Sequence, residues 1–184
     1  MKFDPQKHHR HSIRLQGYDY TQSGAYFVTL VTYQRNVLFG EIIDGEVKLN
    51  RKGEIVQEEW FASVNIRKEI RLHPEEFVVM PNHVHGIVWI EYDTSIAMVV
   101  VGANGRSPLP HPQMKPRSLG SLIAGFKSSV TKRIRDELNE TGIWQRNYYE
   151  HIIRNEKELD AIRRYIESNP LNWSEDDENP LKSG

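Results

Sequence analysis

The sequence contains no cysteine in 184 residues. Disulfides and thiolate metal sites are therefore excluded, and the cytoplasm is the expected compartment. No apolar run approaches the ~18 residues that a membrane helix needs, so no membrane partner is expected. The opening stretch, Met1 to Ser12, is basic and rich in histidine with no apolar segment behind it, unlike a secretory signal. Charge of one sign is also lacking: 24 Lys and Arg stand against 25 Asp and Glu, a net of −1. Nucleic-acid-binding proteins often carry a basic excess, so this total counts against that class.

The distribution of charge says more than its sum. Lys7, Arg10 and Arg14 cluster near the start, and Lys127, Lys132, Arg133 and Arg135 cluster in one later helical stretch. Glu175, Asp176, Asp177 and Glu178 form an acidic run inside an expected tail over 174–184. A polarised surface can steer a phosphate backbone despite a neutral total, although any one such cluster is equally well a solvated helix face.

What is present reads as one domain over 1–184. Hydrophobic residues make up 38% and charged residues 27%, a globular balance. Ala25 to Tyr33 is aromatic and β-branched and predicts a strand. Asp44-Gly45 predicts a hairpin turn between Glu41–Ile43 and Glu46–Lys48. Asn50 can cap a helix whose Val56, Trp60 and Val64 recur at i, i+4, i+8. Phe77 to Met80 and His83 to Glu91 read as two strands joined tightly through Pro81-Asn82. Residues 93–117, with four prolines and two glycines, read as a mobile surface loop; Val99 to Val101 could add a short strand extension. Ser118 caps a helix with a stripe of Leu119, Leu122, Ile123, Phe126, Val130 and Ile134. Tyr148 to Arg154 predicts a short strand. Asn155 and Glu158 have capping-box spacing ahead of a last helix with Leu159, Ile162 and Ile166 inward, which Pro170 should end by forcing Asn169 out of the α region. The fold class expected is α+β: a two-layer sandwich with a ferredoxin-like antiparallel sheet and helices packed on it.

Within Pro81-Asn82-His83-Val84-His85-Gly86, strand alternation points His83 and His85 the same way. Two neutral imidazoles on a rigid strand can share a divalent cation, with a further ligand from elsewhere. His-x-His also occurs as two unrelated histidines on a sheet surface. Here, however, the stretch is otherwise apolar, and buried imidazoles need polar partners or a metal. An amidohydrolase barrel would need ~250 residues, and a His-x-His-x-Asp-His hydrolase would want acid and histidine where Ile87 and Val88 stand. In the last helix, Tyr165 and Asn169 are four apart. With Ile162 at the origin of a helical wheel they fall at about −60° and about −20°, flanking the buried stripe, while Asp160, Arg163 and Arg164 point outward. Spacing alone allows either a reactive phenol beside an amide or a boundary tyrosine and a helix-ending asparagine.

Together, Pro81-Asn82-His83-Val84-His85, the helix Gly120 to Ile134, and Tyr165-Ile166-x-x-Asn169-Pro170 resemble the single-tyrosine HUH transposases, the insertion-sequence-200-like superfamily. The entry segment, Ser12-Ile13-Arg14-Leu15, Tyr18-Asp19-Tyr20 and Gly24-Ala25-Tyr26-Phe27-Val28-Thr29, is similar to the REP-associated tyrosine transposase branch. The likeness runs over roughly residues 10–173. It implies Tyr165 as nucleophile, His83, His85 and Asn169 as ligands of Mg²⁺ or Mn²⁺, and a single-stranded DNA substrate with a hairpin, drawn from repeated extragenic palindromes. The better-known branch places glutamine where Asn169 stands. Attack by Tyr165 would give a 5′-phosphotyrosine and a free 3′-hydroxyl. Arg14, Lys127 and Arg133 are the expected contacts to DNA. Monomer and homodimer both remain open, and Tyr148 and Tyr149 are lesser candidates for the nucleophile. Two other readings stand beside this one: a non-catalytic hairpin-binding protein that kept the fold, and a metal phosphodiesterase that uses water.

Overall fold

The computed structural model describes residues 18–92, 117–180 and 182. Arg14, with Lys7 and Arg10, lies outside the described residues, as do positions 93–116 of the expected loop and its Val99 to Val101 extension. The elements run β1 (Gly24–Val31), β2 (Gly40–Ile43), β3 (Glu46–Leu49), α1 (Arg51–Ile66), β4 (Ile70–Arg71), β5 (Phe77–Val79), β6 (His83–Ile90), α2 (Leu119–Leu138), β7 (Tyr149–Ile153) and α3 (Glu156–Ser168).

The main sheet is antiparallel and places β6 between β1 on one side and β4 and β5 on the other, with β7 on the far edge of β1. Counting β1, β5, β6 and β7 as the four core strands, the order is 2-3-1-4, the ferredoxin-like arrangement. Strand alternation divides the residues between two cores. Tyr26, Val28 and Leu30 of β1 and Val84, Val88 and Ile90 of β6 join Ile55, Trp60, Leu122, Phe126 and Val130 of α1 and α2. Ala25 and Phe27 of β1 and Ile87 of β6 join Leu159 and Ile166 of α3. The α+β sandwich thus carries two helices on one face and the tyrosine helix on the other.

Local chemistry fixes the ends of these elements. Asp44 and Gly45 both take positive φ, 53° and 78°, as a primed two-residue hairpin turn requires. Asn50 Oδ1 accepts from the Lys52 and Gly53 amides at 3.0 and 3.2 Å, and Ser118 Oγ accepts from the Ser121 amide. Asn155 Oδ1 accepts from the Glu158 amide, while the Glu158 carboxylate reaches the Arg154 amide rather than that of Asn155. Gly86 is required by close approach: a Cβ there would lie 2.6 Å from the Trp60 ring, which stacks on Phe77.

Two expectations need correction. Asn169 keeps right-handed helical angles, φ −58° and ψ −42°, despite the following Pro170. The tendency of a pre-proline residue to leave the α region is overridden because the Asn169 side chain is buried and bonded to Asp176. The chain therefore keeps turning through a 3-10 turn at Trp173–Glu175 and brings Asp176 back beneath the helix. Arg163 also is not a free, outward-pointing cation: it stays only partly exposed. Its Nε and Nη2 donate to Oε1 of the fully buried Glu76 at 2.9 and 2.6 Å, which ties α3 to the turn before β5.

Candidate metal and tyrosine centre

The site starts from the register of β6. Pairing Val31 with His83 and Thr29 with His85 sets both imidazoles on the α3 face of the sheet, where both are buried. Their Nε2 atoms converge to 2.9 Å. Each ring is oriented from behind. Asn82 Nδ2 donates to the carbonyls of Arg35 and Glu178, so its Oδ1 must face His83 Nδ1, at 2.8 Å. His83 therefore carries its proton on Nδ1 and turns the Nε2 lone pair into the site. Thr29 Oγ1 holds His85 Nδ1 at 2.9 Å.

Burial pushes His83 down to about 4, against the pull of the Asp176 carboxylate, and pushes His85 well below its usual range, with His83 adding to the effect. Both are neutral at pH 7, the form in which imidazole ligates a metal. Asp176 supplies the charge. Its Oδ2 is 3.9 Å from His83 Nε2, and His83, His85 and Asp176 place one ligand atom each within 4.8 Å of one another. Asp176 Oδ1 accepts from the Glu178 amide at 2.7 Å, and Oδ2 accepts from Asn169 Nδ2 at 3.0 Å. Asn169 Oδ1 is buried with no hydrogen-bond partner among the described residues.

These donors fit a divalent cation. Two ligands about 2.1 Å from a hard cation at right angles sit about 3.0 Å apart, close to the 2.9 Å between the two Nε2 atoms. A buried carboxylate and an unpaired amide oxygen beside them would otherwise be costly groups to bury.

Tyr165 lies against the same histidines. Its hydroxyl is 3.2 Å from His85 Nε2, its ring stands edge-on to Phe27, and the residue remains 44% exposed. Burial pushes the phenol up to about 12, Asp176 adds to this, and Asn169 opposes it. Without a cation the phenol is therefore a weak nucleophile, and a positive charge in the centre would act against both causes of the rise.

The structure brings Tyr165, His83, His85 and Asn169 together. Lys127 and Arg133 lie elsewhere, on α2. Lys127 Nζ donates to the carbonyls of Gln145 and Asn147, and burial pushes it down to about 8. Arg133 is engaged by Glu58, Glu59 and Glu137. Sequence reasoning missed Asp176, Thr29 and Glu76 as parts of the centre. Asp176 was visible only as one acid in a run, and Thr29 only as a strand residue.

No protein-family model matches the chain. An uncharacterized protein of Haemophilus influenzae is 38% identical over 179 residues, covering 95% of this chain and 96% of that one. A second H. influenzae protein, provisionally named a REP-associated tyrosine transposase, is 25% identical over 154 residues, 83% of this chain and 73% of that one. Among solved structures, a REP-associated tyrosine transposase bound to a REP hairpin shares the fold with a TM-score of 0.56 at 19% identity, over 87% of this chain and 74% of that one.

Proposed function

We propose that the chain is a member of the REP-associated branch of the single-tyrosine HUH transposases, and that it cuts and rejoins single-stranded DNA beside a hairpin through a covalent bond to Tyr165. The observation that carries this reading is the placement of the Tyr165 hydroxyl 3.2 Å from His85, inside a cluster of neutral imidazoles and one buried carboxylate. His83, His85, Asp176 and the free Asn169 Oδ1 would hold a divalent cation, Mg²⁺ or Mn²⁺. Bound there, the cation would supply Lewis-acid stabilisation of charge on the non-bridging phosphate oxygens.

The chain's own residues do the rest. Phe27, against the Tyr165 ring, and the Arg163–Glu76 pair, one half-turn before it, fix the approach of the phenol. Tyr165 Oη attacks phosphorus, the bond to the 3′ oxygen breaks, and the 5′ phosphate stays on the tyrosine. The phenol's proton leaves towards water, to which the residue is open, and the departing 3′ oxygen takes up a proton from water to become a 3′-hydroxyl. A 3′-hydroxyl attacking the phosphotyrosine reverses the step and restores a phosphodiester, so joining needs no ATP.

The test is a labelled hairpin oligonucleotide with a single-stranded flank, incubated with Mn²⁺ and run on a denaturing gel. A covalent adduct that maps to Tyr165 is expected. Binding without cleavage would favour a hairpin-binding protein, and cleavage without an adduct would favour a phosphodiesterase that uses water.

A further inference from the structure

We infer that Tyr149, with Phe27 as floor and Tyr165 opposite, forms a stacking subsite for an unpaired nucleobase of the strand being cut. The inference rests on the single-stranded DNA reading above. Tyr149 opens β7, which among the described residues is an edge strand paired only with β1. In the register, Tyr149 faces Thr29 and Thr29 faces His85, so the three stand in one row across the sheet. Two inter-strand spacings of about 4.8 Å put Tyr149 roughly 10 Å from the histidine. That is about three nucleotides at the stacked rise of 3.4 Å, and fewer in a splayed strand.

The rings themselves form the subsite. Phe27 is nearly buried, stacks on His85 at 5.4 Å, and is met edge-on by Tyr149 at 6.4 Å and by Tyr165 at 6.1 Å. Tyr149 is 42% exposed and Tyr165 44%. The helix leaves Tyr149 exposed at the start of β7, and meets that strand further along, at His151 and Ile153. The result is an aromatic floor with an exposed ring on each side, one of which carries the nucleophile. A base offers a π-face to such a ring whatever its sequence, and an edge strand admits a chain laid along it. The position of Tyr149 is also held. Lys127 fastens the carbonyls of Gln145 and Asn147 just before β7.

The experiment uses the full chain carrying Tyr165→Phe, which binds without cutting, and hairpin oligonucleotides with 2-aminopurine at successive positions of the single-stranded flank. One or two positions should be quenched on binding. Tyr149→Ala should abolish that quenching and weaken binding of the flanked hairpin about 5- to 160-fold, the range for loss of one stacked base. Tyr149→Phe should restore both, and a hairpin without the flank should bind all three proteins alike. Quenching and affinity indifferent to Tyr149→Ala, while the parent chain still forms its adduct, would overturn the subsite alone. Failure of the Tyr165→Phe protein to bind the oligonucleotide at all, with no adduct from the parent chain, would overturn both readings.

Discussion

Replacing Asp176 by asparagine removes a negative charge that lies against both His83 and Asn169. A divalent cation about 4 Å from a unit charge gains about 8 kcal/mol at an effective dielectric of 20. Hydration of the free cation opposes most of that gain. Loss of even an outer-shell partner lowers metal affinity about 10- to 100-fold, so a larger loss is expected for a direct ligand. Stability of the metal-free protein should respond differently. The Glu178 amide keeps its acceptor, since asparagine retains Oδ1, and only the bond from Asn169 Nδ2 is opposed. One hydrogen bond to a charged acceptor contributes about 1.5–3 kcal/mol, and removal of a buried charge offsets part of it. Calorimetric titration with Mn²⁺ should therefore show at least a tenfold weaker Kd, with little change in the urea midpoint. Adduct yield should fall and partly recover as Mn²⁺ is raised. An unchanged Kd and an unchanged Mn²⁺ requirement would refute the assignment of Asp176 to the metal.

Substituting both His83 and His85 by alanine should abolish Mn²⁺ binding and adduct formation while circular dichroism stays native; adduct formation at the parental rate would place the metal elsewhere. Tyr165→Phe should bind hairpin DNA normally and form no adduct, and since the ring still packs on Phe27, stability should shift by less than about 1 kcal/mol; an adduct mapped to Tyr148 or Tyr149 would contradict this. Glu76→Gln should destabilise the fold by about 1–3 kcal/mol, below the full cost of breaking a buried pair because Arg163 stays in reach of water; thermal melting equal to the parent would count against a role for this pair. The metal-free protein should lose stability as pH falls from about 6.5 towards about 4. His83 is held below its unfolded value, so the unfolded chain binds more protons in that window; its contribution is complete above about 6.5 and lost on acidification. Urea unfolding in EDTA at the two ends of the window, for the parent and for His83→Gln, checks it. The same pH dependence in both proteins would assign the loss to other groups.

The legible parts of the sequence were those that obey a period or a local bond. The Asp44-Gly45 turn, the Asn50, Ser118 and Asn155 caps, and the shared face of His83 and His85 each follow from neighbours within four residues. So did the nearness of Tyr165 and Asn169, which one helical turn sets. What was not legible depends on contacts across long stretches of chain. Asp176 reads as one solvated acid among four until the turn after Pro170 carries it under the helix. Glu76 reads as a loop carboxylate until Arg163, 87 residues later, reaches it. Thr29 acquires its place only through the pairing of β1 with β6. The misplacement of Arg163 has a related cause: a wheel drawn for one helix knows the core stripe but not the charged partner beside it.

The alternation along β6 has a consequence for how such a protein can change over generations. His83 and His85 face one way while Val84, Val88 and Ile90 fill the core on the other, and β6 is paired with β1 along its length and with β5 and β4 over parts of it. Gain or loss of a single codon within this strand would turn the histidines into the α1–α2 core and the valines out of it. The reading frame of side chains is thus shared by the fold and the chemistry, and a slip destroys both at once. Point substitution of His83, His85 or Tyr165 is the route that leaves the scaffold standing. On the proposed function, lineages that lose the reaction by that route would keep a folded protein able to take up another role.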